Sequence, residues 1–141
     1  MEIAISDADP LCRILIVEDY TPFRHYLCSV LRKRDDLLVI GEACDGLEGV
    51  QQAVELRPDV ILLDVGLPTI NGIEVARLVR KLVPDSKVVF VSQESSIDVI
   101  QEAFRAGASG YVLKAEATSQ LLAVVDTAIS GRVCRQPLGQ P

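Results

Sequence analysis

The chain contains no short CxxC pair, and its only histidine is His25. Cys12, Cys28, Cys44 and Cys134 stand too far apart for zinc-ligand spacing, so a structural zinc site is excluded. Cys28 and Cys44 sit inside apolar patterns, where a free thiol behaves as a small hydrophobe, and the cysteines together point to a reduced, cytoplasmic compartment. No apolar run approaches the length of a membrane span. The opening residues, Met1 to Leu11, hold acids and no basic side chain, and lack the apolar core of a signal peptide. Basic residues are also short: 14 Lys and Arg face 20 Asp and Glu, a net charge of -6 at pH 7. That balance repels the phosphates of nucleic acid and of anionic lipid, so no nucleic acid and no membrane surface is expected as a partner of this segment. Low-complexity segments are missing, and so is any repeat among the residues that could carry chemistry.

What is present is 141 residues, 49% of them hydrophobic, enough for one domain with a sizeable core. The chain is organised around Val60-Ile61-Leu62-Leu63-Asp64-Val65-Gly66-Leu67-Pro68. Four branched aliphatics running into an acid, a glycine and a proline describe a strand buried on both faces, with its carboxylate emerging at the turn. Arg13-Ile14-Leu15-Ile16-Val17-Glu18-Asp19 has the same form and reads as the first strand. Leu37 to Ala43 is less uniformly apolar and reads as an edge strand. Lys87 to Ser92 is a fourth buried strand that ends in a hydroxyl, and Gly110 to Lys114 a fifth that ends in an ammonium.

Between the strands, apolar residues recur at helical spacing. Thr21 before Pro22 is expected to cap a first helix that ends around Lys33-Arg34. His25 falls off that helix's apolar stripe and reads as a solvated side chain, neither a ligand nor a phosphorylated histidine. Asp45-Gly46 is expected to make a turn before a second helix that stops ahead of Pro58. Asn71-Gly72 begins a third helix, Ser95 or Ser96 caps a fourth that closes at Ala106-Gly107, and Thr118 opens a fifth that closes at Gly131. Residues 1–11 read as an N-terminal extension, 12–131 as the domain, and 132–141 as a tail or linker.

Five strands alternating with five helices imply a doubly wound, five-stranded parallel sheet with helices on both faces. The flavodoxin-like order 2-1-3-4-5 is the usual solution at this size, and it sets the first and third strands side by side at the topological switch point. Glu18, Asp19 and Asp64 then share one cleft. At an effective dielectric near 20, two carboxylates about 4 Å apart repel by about 4 kcal/mol, so three together need a proton or a cation. An all-oxygen pocket with few protein ligands suits magnesium, and the consecutive ligand loop that calcium usually exploits is missing. Lys114 and Ser92 emerge at the same edge, where one can pair with Asp64 and with a bound anion and the other can donate to that anion. Acids, dication, hydroxyl and ammonium in one cleft are the equipment of phosphoryl transfer.

These residues together resemble the receiver domain of the two-component response regulator family, from about Arg13 to Gly131. The resemblance rests on Glu18-Asp19, Asp64 with Pro68 and Asn71-Gly72, Ser92, Ala106-Gly107-Ala108, and Gly110-Tyr111-Val112-Leu113-Lys114. It implies that Asp64 accepts a phosphoryl group from a phosphohistidine of a sensor histidine kinase or phosphotransfer protein. It also implies that Asp19, Asp64 and the backbone carbonyl of Gly66 hold magnesium, with Glu18 acting through water. Lys114 and Ser92 would hold the phosphoryl group, while Ser92 and Tyr111 act as the switch that reshapes a surface around the fourth helix and fifth strand and recruits a partner or a second protomer.

The sequence departs from the family pattern at three places. Ala115 follows Lys114 where many relatives have a cis proline, and a trans bond is expected here. Gln93 is larger than the usual residue and narrows access to the phosphoryl group, whereas Gly66 leaves that group unshielded from water. The Asp64 to Pro68 wording and the Gly-Tyr-Val-Leu-Lys run resemble regulators that continue into a helix-turn-helix DNA-binding domain, so the chain is expected to be either a fragment of a transcription regulator or a stand-alone receiver. The enzyme alternative, a metal-dependent phosphohydrolase with an aspartate nucleophile, resembles Asp-x-Asp at that nucleophile, and position 66 is glycine. A flavin carrier would place its phosphate at the loop after the first strand, where Glu18 and Asp19 repel it.

Overall fold

A computed structural model describes residues 11–130. Its strands are β1 (Cys12–Val17), β2 (Leu37–Ala43), β3 (Val60–Leu63), β4 (Lys87–Ser92) and β5 (Gly110–Leu113). The helices between and after them are α1 (Thr21–Leu31), α2 (Gly46–Leu56), α3 (Gly72–Leu82), α4 (Ile97–Arg105) and α5 (Ala117–Ser130). All pairings are parallel and the order is β2-β1-β3-β4-β5, the expected doubly wound sheet. β2 is an edge strand, as its mixed composition indicates.

Successive side chains of a strand point to opposite faces, so each central strand feeds two cores. Ile14, Ile16, Val60, Leu62, Val89 and Val91 pack with α1 and α5. Leu15, Val17, Ile61, Leu63, Val88 and Phe90 pack with α2, α3 and α4. This double burial explains why the strands read as uninterrupted aliphatic runs.

Register aligns the carboxyl edge. Val17 pairs with Leu63, Leu63 with Phe90, and Phe90 with Tyr111, so the residues that follow leave the sheet at nearly one level. Leu113 is opposite Ser92, the last residue of β4, so β5 ends there and Lys114 opens a 3-10 turn over Lys114–Glu116 instead of closing the strand. No cis peptide bond occurs among the described residues, so Lys114-Ala115 is trans as expected.

Other local expectations fail as well. Thr21 is not the cap of α1; Tyr20 is, without a side-chain hydrogen bond, and Thr21 lies inside the helix. α1 stops at Leu31 because the N–H groups of Lys33 and Arg34 bond to Val30 and Leu31, three residues back, tightening the chain out of the α pattern. Asp45 is a helix cap, accepting from the Glu48 N–H, and Gly46 is already helical. Thr118 lies inside α5, which begins at Ala117, and its hydroxyl makes a short hydrogen bond with Tyr26. Cys28 is buried, as its pattern suggests, whereas Cys44 is exposed. Between the two candidate serines, Ser96 caps α4. Residues 1–10, Gly131 and the 132–141 tail lie outside the described residues.

Candidate functional site

Three carboxylates and one ammonium meet where β1, β3 and β5 end. Glu18, Asp19 and Asp64 each offer an oxygen, and these atoms lie within 4.8 Å of one another. The Lys114 ammonium stands 3.0 Å from Glu18 Oε1 and 3.1 Å from Asp64 Oδ2. Glu18 and Asp64 are buried and Asp19 is exposed, so the cleft has a closed floor and an open lip.

The surrounding backbone holds this arrangement. The Asp64 N–H donates to the Val17 carbonyl, extending the β1–β3 ladder one residue past the strands. The Glu18 N–H donates to Ala43, and its carbonyl accepts from Arg24, which also pairs with Glu42. The Tyr20 N–H donates to Glu18 Oε2. Gly72, at the start of α3, passes so close to Asp64 that a Cβ there would stand 1.9 Å from its carbonyl oxygen. That contact demands glycine. Gly66 is different, because a Cβ there would meet nothing within 4 Å.

Burial pushes the Glu18 carboxyl above its usual value, offset in part by the Tyr20 N–H and the Lys114 ammonium. Burial would depress Lys114, but the adjacent Glu18 and Asp64 carboxylates outweigh that and the net shift is upward. Three carboxylates face one ammonium, an excess of negative charge that a divalent cation would neutralise. Glu18 Oε1 is buried and close to Lys114 Nζ, but not aligned with it for a hydrogen bond. A hard, all-oxygen donor set with an open side fits magnesium.

Ser92 is buried at the same edge, and its hydroxyl accepts from the Glu94 N–H. The Tyr111 hydroxyl donates to the Glu94 carbonyl at 2.7 Å, and its ring packs 5.9 Å from that of Phe90. Glu94 is thus held on both sides of its backbone. Burial raises the Tyr111 phenol and the neighbouring Ser92 hydroxyl acts the other way, so the group remains a donor at neutral pH. His25 is exposed, as expected. The structure therefore brings Glu18, Asp19, Asp64 and Lys114 together, and places Ser92 at the same edge of the sheet, linked to Tyr111 through Glu94 of the β4–α4 loop.

The profile of the response regulator receiver domain matches residues 14–126. The chain belongs to the response regulator receiver domain family. It is a receiver domain of a two-component response regulator. It is 35% identical over 127 residues to the transcriptional regulatory protein LnrK of Bacillus subtilis, covering 90% of this chain and 58% of that protein. The chain thus spans little more than half of this relative. Among solved structures, it is similar to the response regulator domain of Thermotoga maritima CheB, with 32% identity, a TM-score of 0.81, and coverage of 86% and 98% of the two chains. The signal receiver domain of the response regulator NarL from Mycobacterium tuberculosis gives 28% identity, a TM-score of 0.83, and coverage of 87% and 99%. These relatives place the receiver in a signalling family. Among the described residues, no helix is long and apolar enough to cross a membrane.

Two contributors have no signal of their own in the sequence. Phe23 falls on the apolar stripe of α1 and reads as core, yet Lys114 Nζ lies 4.6 Å from the centre of its ring. Arg24 carries no motif at all, and only its folded contacts reveal that it holds the Glu18 carbonyl.

Proposed function

We propose that Asp64 is the phosphoryl acceptor of this receiver and that its modification resets the β4–α4 loop. The observation that carries the reading is the Lys114 ammonium, set between Asp64 and Glu18 in a cleft that Asp19 completes. An Asp64 carboxylate oxygen attacks phosphorus, the P–N bond of the donor phosphohistidine breaks as the P–O bond forms, and the imidazole leaves with the electron pair. Lys114 offsets negative charge on the phosphoryl oxygens as they approach. Magnesium would be held by Asp19, Asp64 and the Gly66 carbonyl, with Glu18 acting through water, and when bound it supplies charge neutralisation.

The new group adds about -1.5 to -2 charge and three strong acceptors. Ser92 is the nearest hydroxyl of β4 that can turn to donate to them, giving up its bond from Glu94. Tyr111 grips the other side of the Glu94 peptide, so the Ser92 loop and α4 respond together. The donor is a sensor histidine kinase or phosphotransfer protein in the cytoplasm. The reshaped α4–β5 face serves a partner or a homodimer. LnrK's name supports an output in transcription. A phosphohydrolase would need a second acid at position 66, which is glycine.

The test is incubation with acetyl phosphate, with and without magnesium, followed by intact-mass measurement. Wild type is expected to gain one phosphoryl group only with magnesium, and Asp64→Ala none. Equal labelling of the variant would refute the assignment.

A further inference from the structure

The Lys114 ammonium has a third partner besides its two carboxylates. Its Nζ stands 4.6 Å from the centre of the Phe23 ring. That distance lies within the range over which a cation is drawn to an aromatic face. Phe23 is itself held in place. Its ring packs 5.6 Å from that of Tyr26, one turn further along α1, and the Tyr26 hydroxyl is bonded to Thr118 on α5. The ring is half-buried against the core of the α1–α5 face, so it cannot turn away without disturbing that packing.

We propose that Phe23 is a positioning residue for phosphoryl transfer, seating the Lys114 ammonium while its anionic partners change. This rests on Asp64 being the acceptor. Before transfer, the ammonium answers carboxylate charge on Asp64 and Glu18; afterwards the charge on the Asp64 side has moved outward to the phosphoryl oxygens. A flexible lysine could then collapse onto Glu18 alone, which is buried and fixed. The ring face attracts the cation without a directional bond, so Lys114 can exchange one acceptor for another while staying in place. Leucine or methionine at position 23 would fill a similar volume but carry no quadrupole.

The test is a series in which Phe23 is replaced by progressively fluorinated phenylalanines, together with Phe23→Tyr and Phe23→Leu, in the full chain. Fluorine drains the ring face of negative charge while nearly keeping its shape. The rate of phosphorylation by acetyl phosphate at saturating magnesium is expected to fall stepwise with fluorination, to fall about fivefold in Phe23→Leu, and to hold in Phe23→Tyr. Melting temperatures across the fluorinated series are expected to stay level, which separates the charge effect from packing. In the unphosphorylated, metal-free protein, the Lys114 Cε protons are expected to show an upfield ring-current shift that disappears in Phe23→Leu. A flat rate series in a protein that is phosphorylated normally overturns the role of Phe23 alone, as does an unshifted Lys114 signal. If wild type takes up no phosphoryl group, the assignment of Asp64 falls and this role falls with it, while the proton shift still reports whether the contact exists.

Discussion

Gly72 is required by space, since a methyl group there would collide with the Asp64 carbonyl. Gly72→Ala is expected to destabilise the fold by about 3 kcal/mol and to slow phosphorylation by displacing Asp64, read by chemical denaturation and acetyl phosphate labelling. Gly66, in the loop that leaves β3, is free of any such constraint. Gly66→Met is expected to leave stability within about 0.5 kcal/mol of wild type, because its side chain enters open space. The same change should lengthen the phosphorylated lifetime by shielding the group from water, whereas Gln93→Ala should shorten it by opening the rim. A dephosphorylation time course of the two variants checks both directions.

Among the elements, α4 is attached most lightly. Of its nine residues only Ala103 is fully buried, and Ile97 and Phe104 are exposed. It is tied to the rest of the molecule mainly by Glu102 pairing with Arg77 of α3, by Arg80 of α3 donating to the Arg105 carbonyl, and through its leading loop by the Tyr111–Glu94 hydrogen bond. A helix kept by polar contacts can shift without breaking a core. Tyr111→Phe removes one of those contacts and is expected to cost about 1 kcal/mol, with faster hydrogen exchange from Gln93 to Ile100 and undiminished phosphorylation. Loss of phosphorylation in that variant would place Tyr111 in the transfer step instead of the switch. α2 shows the contrary case. Asp45 caps it by accepting from the Glu48 N–H, and Thr69, with φ of 70°, accepts from the Leu47 N–H from the loop after β3. The site loop and α2 are thereby tied, and the left-handed backbone of a β-branched residue is the conformational cost of the tie.

Across the whole molecule, charge decides how stability varies with pH and metal. Glu18 has a folded pKa raised above 4.5, chiefly by burial, so its favourable contribution is complete below 4.5 and is lost as pH rises through the folded value. The ionised cluster is therefore a burden at neutral pH that a cation relieves. Magnesium at about a hundred times its dissociation constant is expected to add about 2.7 kcal/mol, seen as a higher melting temperature at neutral pH and a smaller gain in acid. Asp19→Asn should reduce that gain without unfolding the metal-free protein. Asp36 has the opposite sign. The hydrogen bond from Arg34 holds it below 3.8, so its contribution is present above 3.8 and disappears as pH falls through the lowered value. The pair is largely exposed, so Arg34→Met is expected to have a small effect that high salt removes.

The sequence by itself determined the element order, the double burial of the central strands and the set of strand-terminal acids. Each depends on local patterning: aliphatic runs broken by turn residues, and acids placed where those runs end. It also singled out Asp64 and Lys114, because a charged side chain that finishes an apolar strand must leave the sheet at its rim, where ligands bind. Only the tertiary structure decided which groups touch. The register that levels Val17, Leu63, Phe90 and Tyr111 sets Lys114 between Glu18 and Asp64, and the packing of α1 against α5 sets Phe23 beneath it. Periodicity places a residue on one face of its own helix; what that face meets depends on neighbours distant along the chain, and only folding brings them together.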